Sequence, residues 1–186
     1  TPQDYEFSVQ YKASDLVSSL LLDGAQIASG TTLYSSFDNR SGKIDVLLRS
    51  DSIMYGSVSL YNLVLNAAKQ GETFVSSVFL SEVNAGGYRV ENPDISLKAF
   101  NDLVEFKLDW LNSDQSGSGE VSLLANVIDF RTVELDVDTL QISARESTWR
   151  MDRPVRFSID TSGVFIDGLI MANNARRISA FGKLGD

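Results

Sequence analysis

The chain has 186 residues, of which 43% are hydrophobic, so it can bury a core and lacks the composition of a disordered segment. Its net charge of −9 and the absence of a lysine- or arginine-rich run exclude the usual phosphate-binding footprint of a nucleic-acid-binding protein. Because the chain has no histidine and no cysteine, Ser-His-Asp and Cys-His catalytic arrangements and the usual zinc sites are also excluded. We therefore predict no catalytic residue, no cofactor and no metal site.

The N-terminal part predicts one strand and one short helix. Apolar residues alternate with polar ones from residue 5 to residue 11, which is the period of a half-buried strand. In residues 13–22 this period is lost, Asp15 is a possible N-cap and Gly24 a possible stop, so we predict a short helix there. The sequence contains no run of about 18 apolar residues, so we predict no membrane-spanning helix. Since the sequence begins with Thr1, we interpret it as an excised segment of a longer protein that forms a single β domain over residues 1–186.

Period-two alternation continues to the C-terminus and predicts one strand after another. Its apolar positions are Ile44, Val46 and Leu48; Phe74, Val78 and Leu80; Val104, Phe106, Leu108 and Trp110; Val121, Leu123, Ala125 and Val127; Val133, Leu135 and Val137; and Val155, Phe157 and Ile159. Turn signals rich in Asn, Asp, Ser and Gly separate these runs at 38–42, 84–87, 112–119 and 161–163. The sequence therefore predicts an all-β, antiparallel-rich fold in which hairpins link most neighbours.

Two of the strands share a spacing. The matching apolar positions are Val58, Leu60, Leu63 and Leu65 in one copy, and Val164, Ile166, Leu169 and Met171 in the other. Both copies slip by one residue, at Asn62 and at Gly168, which predicts a β-bulge or bend that keeps one face turned inward. The alternative is a chance similarity between two amphipathic strands.

Three polar patterns have ordinary explanations. Asp136 and Asp138 form a pair of the kind that glycosidases use, but alternation with apolar residues places them on the outer face of a strand. The run from Asn112 to Gly117 resembles the start of a calcium loop, yet Leu123 occupies the position that requires a bidentate acid, so we predict a hairpin tip. Asn39 begins a formal glycosylation pattern that we interpret as a turn.

The two tryptophans, Trp110 and Trp149, are the residues that could stack on a sugar ring. A tryptophan on an alternating strand is more often part of the core, and we assign both to the apolar side.

The C-terminal part carries a recognisable series of strand sequences at 147–152, 155–160, 163–169 and 177–182. In strand order and residue pattern this series resembles the strands near the end of members of the translocation and assembly module (TamB) family of the AsmA-like superfamily. It is most similar to the Bacteroidetes-type segments of that family. Residues 24–30 and 44–65 resemble the same family more loosely.

This resemblance implies a β-taco, a long curved sheet folded into a U with an apolar inner face and a polar outer face. It also implies a periplasmic, non-enzymatic segment of a Gram-negative protein anchored in the inner membrane. The expected partners are phospholipid acyl chains or unfolded outer-membrane β-strands, together with an outer-membrane barrel protein of the assembly family. The implied role is to assist outer-membrane protein assembly, to transport phospholipid between the membranes, or both.

We assign the predicted groove to inward-facing residues of the alternating strands. They are Val104, Phe106, Leu108, Trp110, Val133, Leu135, Val137, Trp149, Val155, Phe157 and Ile159. Alternation leaves an open groove and a closed β-sandwich equally possible, and a sandwich would suggest a carbohydrate-binding or adhesion module with exposed aromatics. A carboxylate-based hydrolase is a third hypothesis, which would require two distant acids to converge in a cleft.

Overall fold

The computed structural model describes residues 4–10, 25–114, 116–129, 131–144 and 147–185. Strands make up 78% of this part of the chain and no helix occurs in it, which confirms the predicted all-β class. The helix predicted at residues 13–22 lies outside the described residues.

Sixteen strands follow one another in these ranges. They are β1 (Tyr5–Gln10), β2 (Ala25–Ile27), β3 (Thr32–Asp38), β4 (Lys43–Tyr55), β5 (Val58–Gln70), β6 (Thr73–Phe79), β7 (Glu82–Ala85), β8 (Tyr88–Glu91), β9 (Asp94–Phe100), β10 (Leu103–Leu111), β11 (Gly117–Asp129), β12 (Thr132–Ala144), β13 (Ser147–Met151), β14 (Val155–Asp160), β15 (Gly163–Ala172) and β16 (Arg177–Leu184). The chain divides into two compact units, residues 1–96 and 97–186, and β9 contains the division. The prediction of a single β domain remains a prediction.

In unit 1 the long strands β4 and β5 form the centre of an antiparallel sheet. Strand β4 pairs with β3 through residues 43–49 and with β2 through residues 53–55. Strand β5 likewise pairs with β6 through residues 64–70 and with β7 through residues 58–61. Strand β1 extends the sheet beyond β3, and β8 extends it beyond β7. Each long strand thus pairs on one side with two short strands, one along each half of its length.

The bend predicted at Asn62 is present at the position where β5 changes partners. Opposite β4, Leu63 pairs with Ser50 and Tyr61 pairs with Ser52, so the register continues without a shift across the unpaired Asp51 and Asn62. Asn62 has a φ of 50°, the left-handed conformation that asparagine tolerates better than most residues. The positive φ of Asn62 marks a bend at the predicted position, whereas the register shift of a β-bulge is absent from these pairs.

Unit 2 repeats this arrangement. Strand β12 pairs with β11 along its length, with β13 through residues 141–144 and with β14 through residues 133–137. Strand β15 pairs first with β14 and then with β13, and β16 lies on its other side. The change of partner on β15 coincides with a register shift between Ile166 and Leu169, where Gly168 has a φ of 75°. The bend predicted at Gly168 is therefore confirmed as well.

The hydrophobic core is small for a chain of this length. Among the described residues the buried apolar side chains are Ala25, Leu63, Leu80, Val137, Val155 and Ile166. No described side chain is completely buried. A closed sandwich buries the inward residues of two facing sheets, and burial of that extent is not observed in either unit.

Candidate apolar binding face

The register of unit 2 shows which side chains share a face of the sheet, because directly opposed residues of an antiparallel pair project to the same side. Opposite Phe106 of β10 lies Leu123 of β11, and the row continues through Val137 and Val155. A second row begins at Leu108 and continues through its partners on β11 and β12. Alternate residues of each strand therefore form rows that cross the sheet.

Assembled in this way, one side of unit 2 is apolar from β10 to β16, and we call it the apolar face. Its rows are Val104, Ala125, Leu135, Phe157, Ile166 and Gly182; Phe106, Leu123, Val137 and Val155; Leu108, Val121 and Leu140; Trp110, Gly119, Ile142 and Trp149; Val127, Val133, Ile159, Val164 and Leu184; and Met151, Met171 and Ile178. Every residue that the sequence assigned to the groove belongs to one of these rows.

The apolar face is neither fully covered nor fully exposed. Val137 and Val155 are buried, with exposed fractions of 8% and 3%, and Ile166 is buried at 9%. The other nine predicted groove residues are half-buried. Near its end at β16 the face becomes exposed, as Leu184 shows with 64%. The described part of the chain therefore places a partly accessible apolar surface over most of unit 2.

Sequence reasoning missed Gly119, which determines how Trp110 lies on this face. These residues are directly opposed, and a Cβ at Gly119 would collide with the six-membered ring of the Trp110 indole. The indole therefore occupies the space that any side chain at position 119 would need. A glycine inside a strand is the available sequence signal for such a close approach.

The opposite side of unit 2 carries an ion pair beside exposed apolar side chains such as Leu103, Leu111 and Phe165. Asp136 and Arg156 are opposed on β12 and β14, with Arg156 Nε 2.7 Å and Nη2 3.0 Å from the two carboxylate oxygens of Asp136. This carboxylate raises the pKa of the Arg156 guanidinium. Asp138 falls at the register shift between β11 and β12 and is exposed. The two aspartates thus differ in setting: one is paired with an arginine and the other lies at a bulge.

The other polar patterns form turns. Asn112 donates from Nδ2 to Ser116 Oγ at 3.1 Å, and its backbone N–H donates to the carbonyl of Gly117 at 2.8 Å, which confirms the predicted hairpin tip. Asn39 lies in the β3–β4 turn, where Asp38 Oδ1 accepts a hydrogen bond from the backbone N–H of Arg40 at 2.8 Å. In the described ranges no cluster of acidic residues is able to hold a metal ion.

Unit 1 has a corresponding face, but polar residues interrupt it. Its rows are Tyr5, Phe37, Ile44, Lys69 and Phe74; Phe7, Ser35, Val46, Ala67 and Ser76; and Val9, Leu33, Leu48, Leu65 and Val78. Ser50 opposes Leu63 where the long strands bend, and both side chains are buried. The uninterrupted apolar surface belongs to unit 2.

Comparison of the chain with protein-family models, curated proteins and solved structures finds no match. Among the described residues, no helix combines the length and the hydropathy needed to cross a membrane.

Proposed function

We propose that this chain is a non-enzymatic periplasmic segment of the TamB type, whose apolar face shelters hydrophobic cargo on its way to the outer membrane. The observation that carries the proposal is the apolar face of unit 2, which is continuous across seven strands and remains half-exposed. Burying apolar area is worth about 25 cal/mol per Å², so such a face binds hydrophobic cargo without any specific polar contact.

The chemistry of the face favours acyl chains over an unfolded outer-membrane strand as cargo. The sheet backbone in its interior is already paired within unit 2, so it offers a peptide lying on the face no free partner. An amide buried without a hydrogen bond costs roughly 2 kcal/mol or more, and an extended peptide would bury several. A phospholipid acyl chain has no such groups.

The bends support a U-shaped groove as the form of this site. Each unit contains long strands that change partners at a residue with positive φ, Asn62 or Gly168. In unit 2 the buried residues Val137, Val155 and Ile166 lie beside this change, while the residues at the strand ends are more exposed. Burial that is deepest along the bend is what a curved, open trough produces. A closed carbohydrate-binding sandwich would instead bury its inner face along the whole strand.

A photo-crosslinking series tests the proposal. A photoreactive amino acid at Leu108, Leu135 or Phe157 should capture phospholipid from vesicles while the protein stays folded. At Glu105 or Lys107, on the polar side of β10, the same probe should capture little. Equal capture from both sides, or capture from neither, would refute the proposed cargo site.

An inward charge gives an independent test. Leu135→Arg places a cation on a half-buried site from which its long side chain can reach water, so folding should be retained and lipid capture at Phe157 lost. The matched control is Glu134→Arg, the neighbouring residue on the polar side of β12, which should leave capture unchanged. Unfolding of the Leu135→Arg variant alone would favour the closed sandwich over the trough.

A further inference from the structure

A cavity of about 620 Å³ lies in unit 2 where β13 and β15 diverge. The two strands pair only through Arg150 with Ala172 and Met151 with Met171. Beyond these pairs the gap is bridged by a side-chain hydrogen bond, in which Asn173 Nδ2 donates to Ser147 Oγ at 3.0 Å. The cavity is lined by β13 together with Asp152, and by the end of β15 with the loop at 173–175. Its size is within the usual range of ligand sites.

The charges around this cavity are unusual for a chain of net charge −9. Arg150 lies in its wall, and the register places Ala172 opposite Arg150 and Arg177 opposite Ala172. Two guanidinium groups therefore flank a small side chain on the polar side of the sheet, with their strands roughly 10 Å apart. Asp152 is the carboxylate in the wall, and its Oδ2 is 3.8 Å from Arg177 Nη2, a long ion pair.

Within the described ranges Arg150 has no ion-pair partner, and more than a third of its surface is exposed. Polar residues line the same space: Asn174, Thr148, whose hydroxyl shares a hydrogen bond with Ser143, and Ser147, whose hydroxyl accepts the hydrogen bond from Asn173. A planar guanidinium beside hydroxyl and amide donors is the set of groups that proteins use to bind phosphate, because two parallel N–H groups match two phosphate oxygens.

We propose that this cavity binds a phosphate group, with Arg150 in its wall as the principal cation and Arg177, which lies outside the lining beside Asp152, as a secondary one. Asp152 opposes the ligand's charge and limits the affinity, while it also holds Arg177 near the wall. The phosphate belongs either to a free phosphate compound or to a phospholipid headgroup. The charged residues of the site, Arg150, Arg177 and Asp152, do not belong to the apolar face, so the site does not depend on the proposed cargo function.

The test is a titration of the intact chain with inorganic phosphate at low ionic strength, followed by amide chemical shifts. Shifts should concentrate at residues 147–152 and 172–177. Arg150→Gln should weaken binding about tenfold, since a charge-assisted hydrogen bond is worth roughly 1.5 kcal/mol or more. Arg150→Lys should retain part of the affinity, and Asp152→Asn should increase it. The control is Arg49→Gln, an exposed arginine on β4, which should bind as the unmodified chain does.

Unchanged affinity in Arg150→Gln, or shifts spread evenly over the surface, would overturn the proposal. A second arm uses vesicles of phosphatidylglycerol and compares them with soluble glycerol phosphate. Arg150-dependent binding to both identifies a headgroup site, and Arg150-dependent binding to the soluble compound alone identifies a site for free phosphate. Because this readout requires no acyl-chain capture, failure here leaves the crosslinking result at Phe157 standing, and the reverse also holds.

Discussion

The two units bend their long strands by different chemical means. In unit 1 the bend is lined with polar groups: the Thr31 and Ser50 hydroxyls are buried and lie 2.7 Å apart, and Ser50 Oγ donates to the carbonyl of Ser52 at 3.0 Å. In unit 2 the residue with positive φ at the bend is Gly168. The Arg156–Asp136 ion pair lies on the outer side of the sheet.

This difference contributes to the interruption of the apolar face in unit 1, which Lys69, Ser35 and Ser76 also interrupt away from the bend. A bend interrupts the backbone ladder, and the groups that it frees must find other partners because they cannot remain unpaired when buried. In unit 1 the side-chain hydroxyls of Thr31 and Ser50 serve as such partners, and the Ser50 hydroxyl takes the place of an apolar side chain on the inner side of the sheet. A glycine tolerates positive φ without side-chain help, so Gly168 places no polar side chain at the bend of unit 2.

The largest effect is expected from a charge at the buried bend of unit 2. Val155 is 3% exposed, so Val155→Asp buries an unpaired carboxylate and should destabilise the protein by about 4 kcal/mol, or raise the aspartate pKa at a similar cost. The measurement is chemical denaturation. Val127→Asp, at 36% exposure on the same face, is the control and should cost less than about 1 kcal/mol. Equal losses would show that burial is not concentrated at the bend.

The second prediction concerns the indole that covers β11. Gly119→Ala adds a methyl group where the Trp110 ring lies, and the forced movement should cost about 2 kcal/mol. Gly117→Ala is a matched control on the same strand, because a Cβ there has contacts of 3.4 Å or longer. If both variants unfold at the same denaturant concentration, the close packing of Trp110 on Gly119 is wrong.

A smaller effect is expected at the polar bend of unit 1. Ser50→Ala removes one of two partners of the Thr31 hydroxyl, the other being the Ala28 carbonyl at 2.8 Å, and should cost about 1 kcal/mol. The double variant Thr31→Val with Ser50→Ala should cost less than the sum of the two single changes, since the groups share one hydrogen bond. Additive losses in a double-mutant cycle would show that the two hydroxyls do not interact.

The smallest effect on stability is expected from two turns, one in each unit, in which an aspartate accepts a hydrogen bond from a serine hydroxyl. Asp38 and Asp160 each accept a hydrogen bond from a serine hydroxyl, that of Ser41 or Ser162, which lowers the pKa of each carboxyl below its ordinary value of 3.8. Because the pKa is lowered on folding, the ionised form contributes stability above pH 3.8, and this contribution is lost as the pH falls below that value.

Carboxyl titration by NMR should therefore find both groups below 3.8, and Asp160→Asn should flatten the acid limb of the stability curve slightly. Asp38→Asn should have an effect of the same size. An ordinary pKa at one aspartate alone would show that the two turns are not equivalent.

Much of the fold could be predicted from local pattern. Alternation along β10 indicates which side of the strand is apolar. The one-residue slips in the alternation at Asn62 and Gly168 indicate where two long strands bend. These features depend on neighbouring residues only, so the sequence records them directly. All predicted groove residues belong to one face for the same reason: each lies on the apolar side of its own strand.

Features that depend on pairing between distant strands could not be predicted. Strand β12 pairs with both β13 and β14, and this pairing depends on the strand register. Alternation of apolar and polar residues does not determine that register. The Thr31–Ser50 bond joins residues 19 positions apart, and isolated hydroxyl residues carry no signal of their partners. The cavity beside Arg150 likewise arises from the divergence of two strands, so its arginines looked like ordinary surface charges in the sequence.

The row that joins Trp110, Gly119, Ile142 and Trp149 has a spectroscopic consequence. The chain has two tryptophans, and both belong to this row, whereas its six tyrosines all lie in residues 1–96. Emission excited at the red edge of indole absorption therefore comes from the apolar face of unit 2 alone. Tyrosine absorbance reports unit 1 alone. Cargo that enters the face should shift indole emission to the blue, and brominated acyl chains should quench it, without any label being added to the protein.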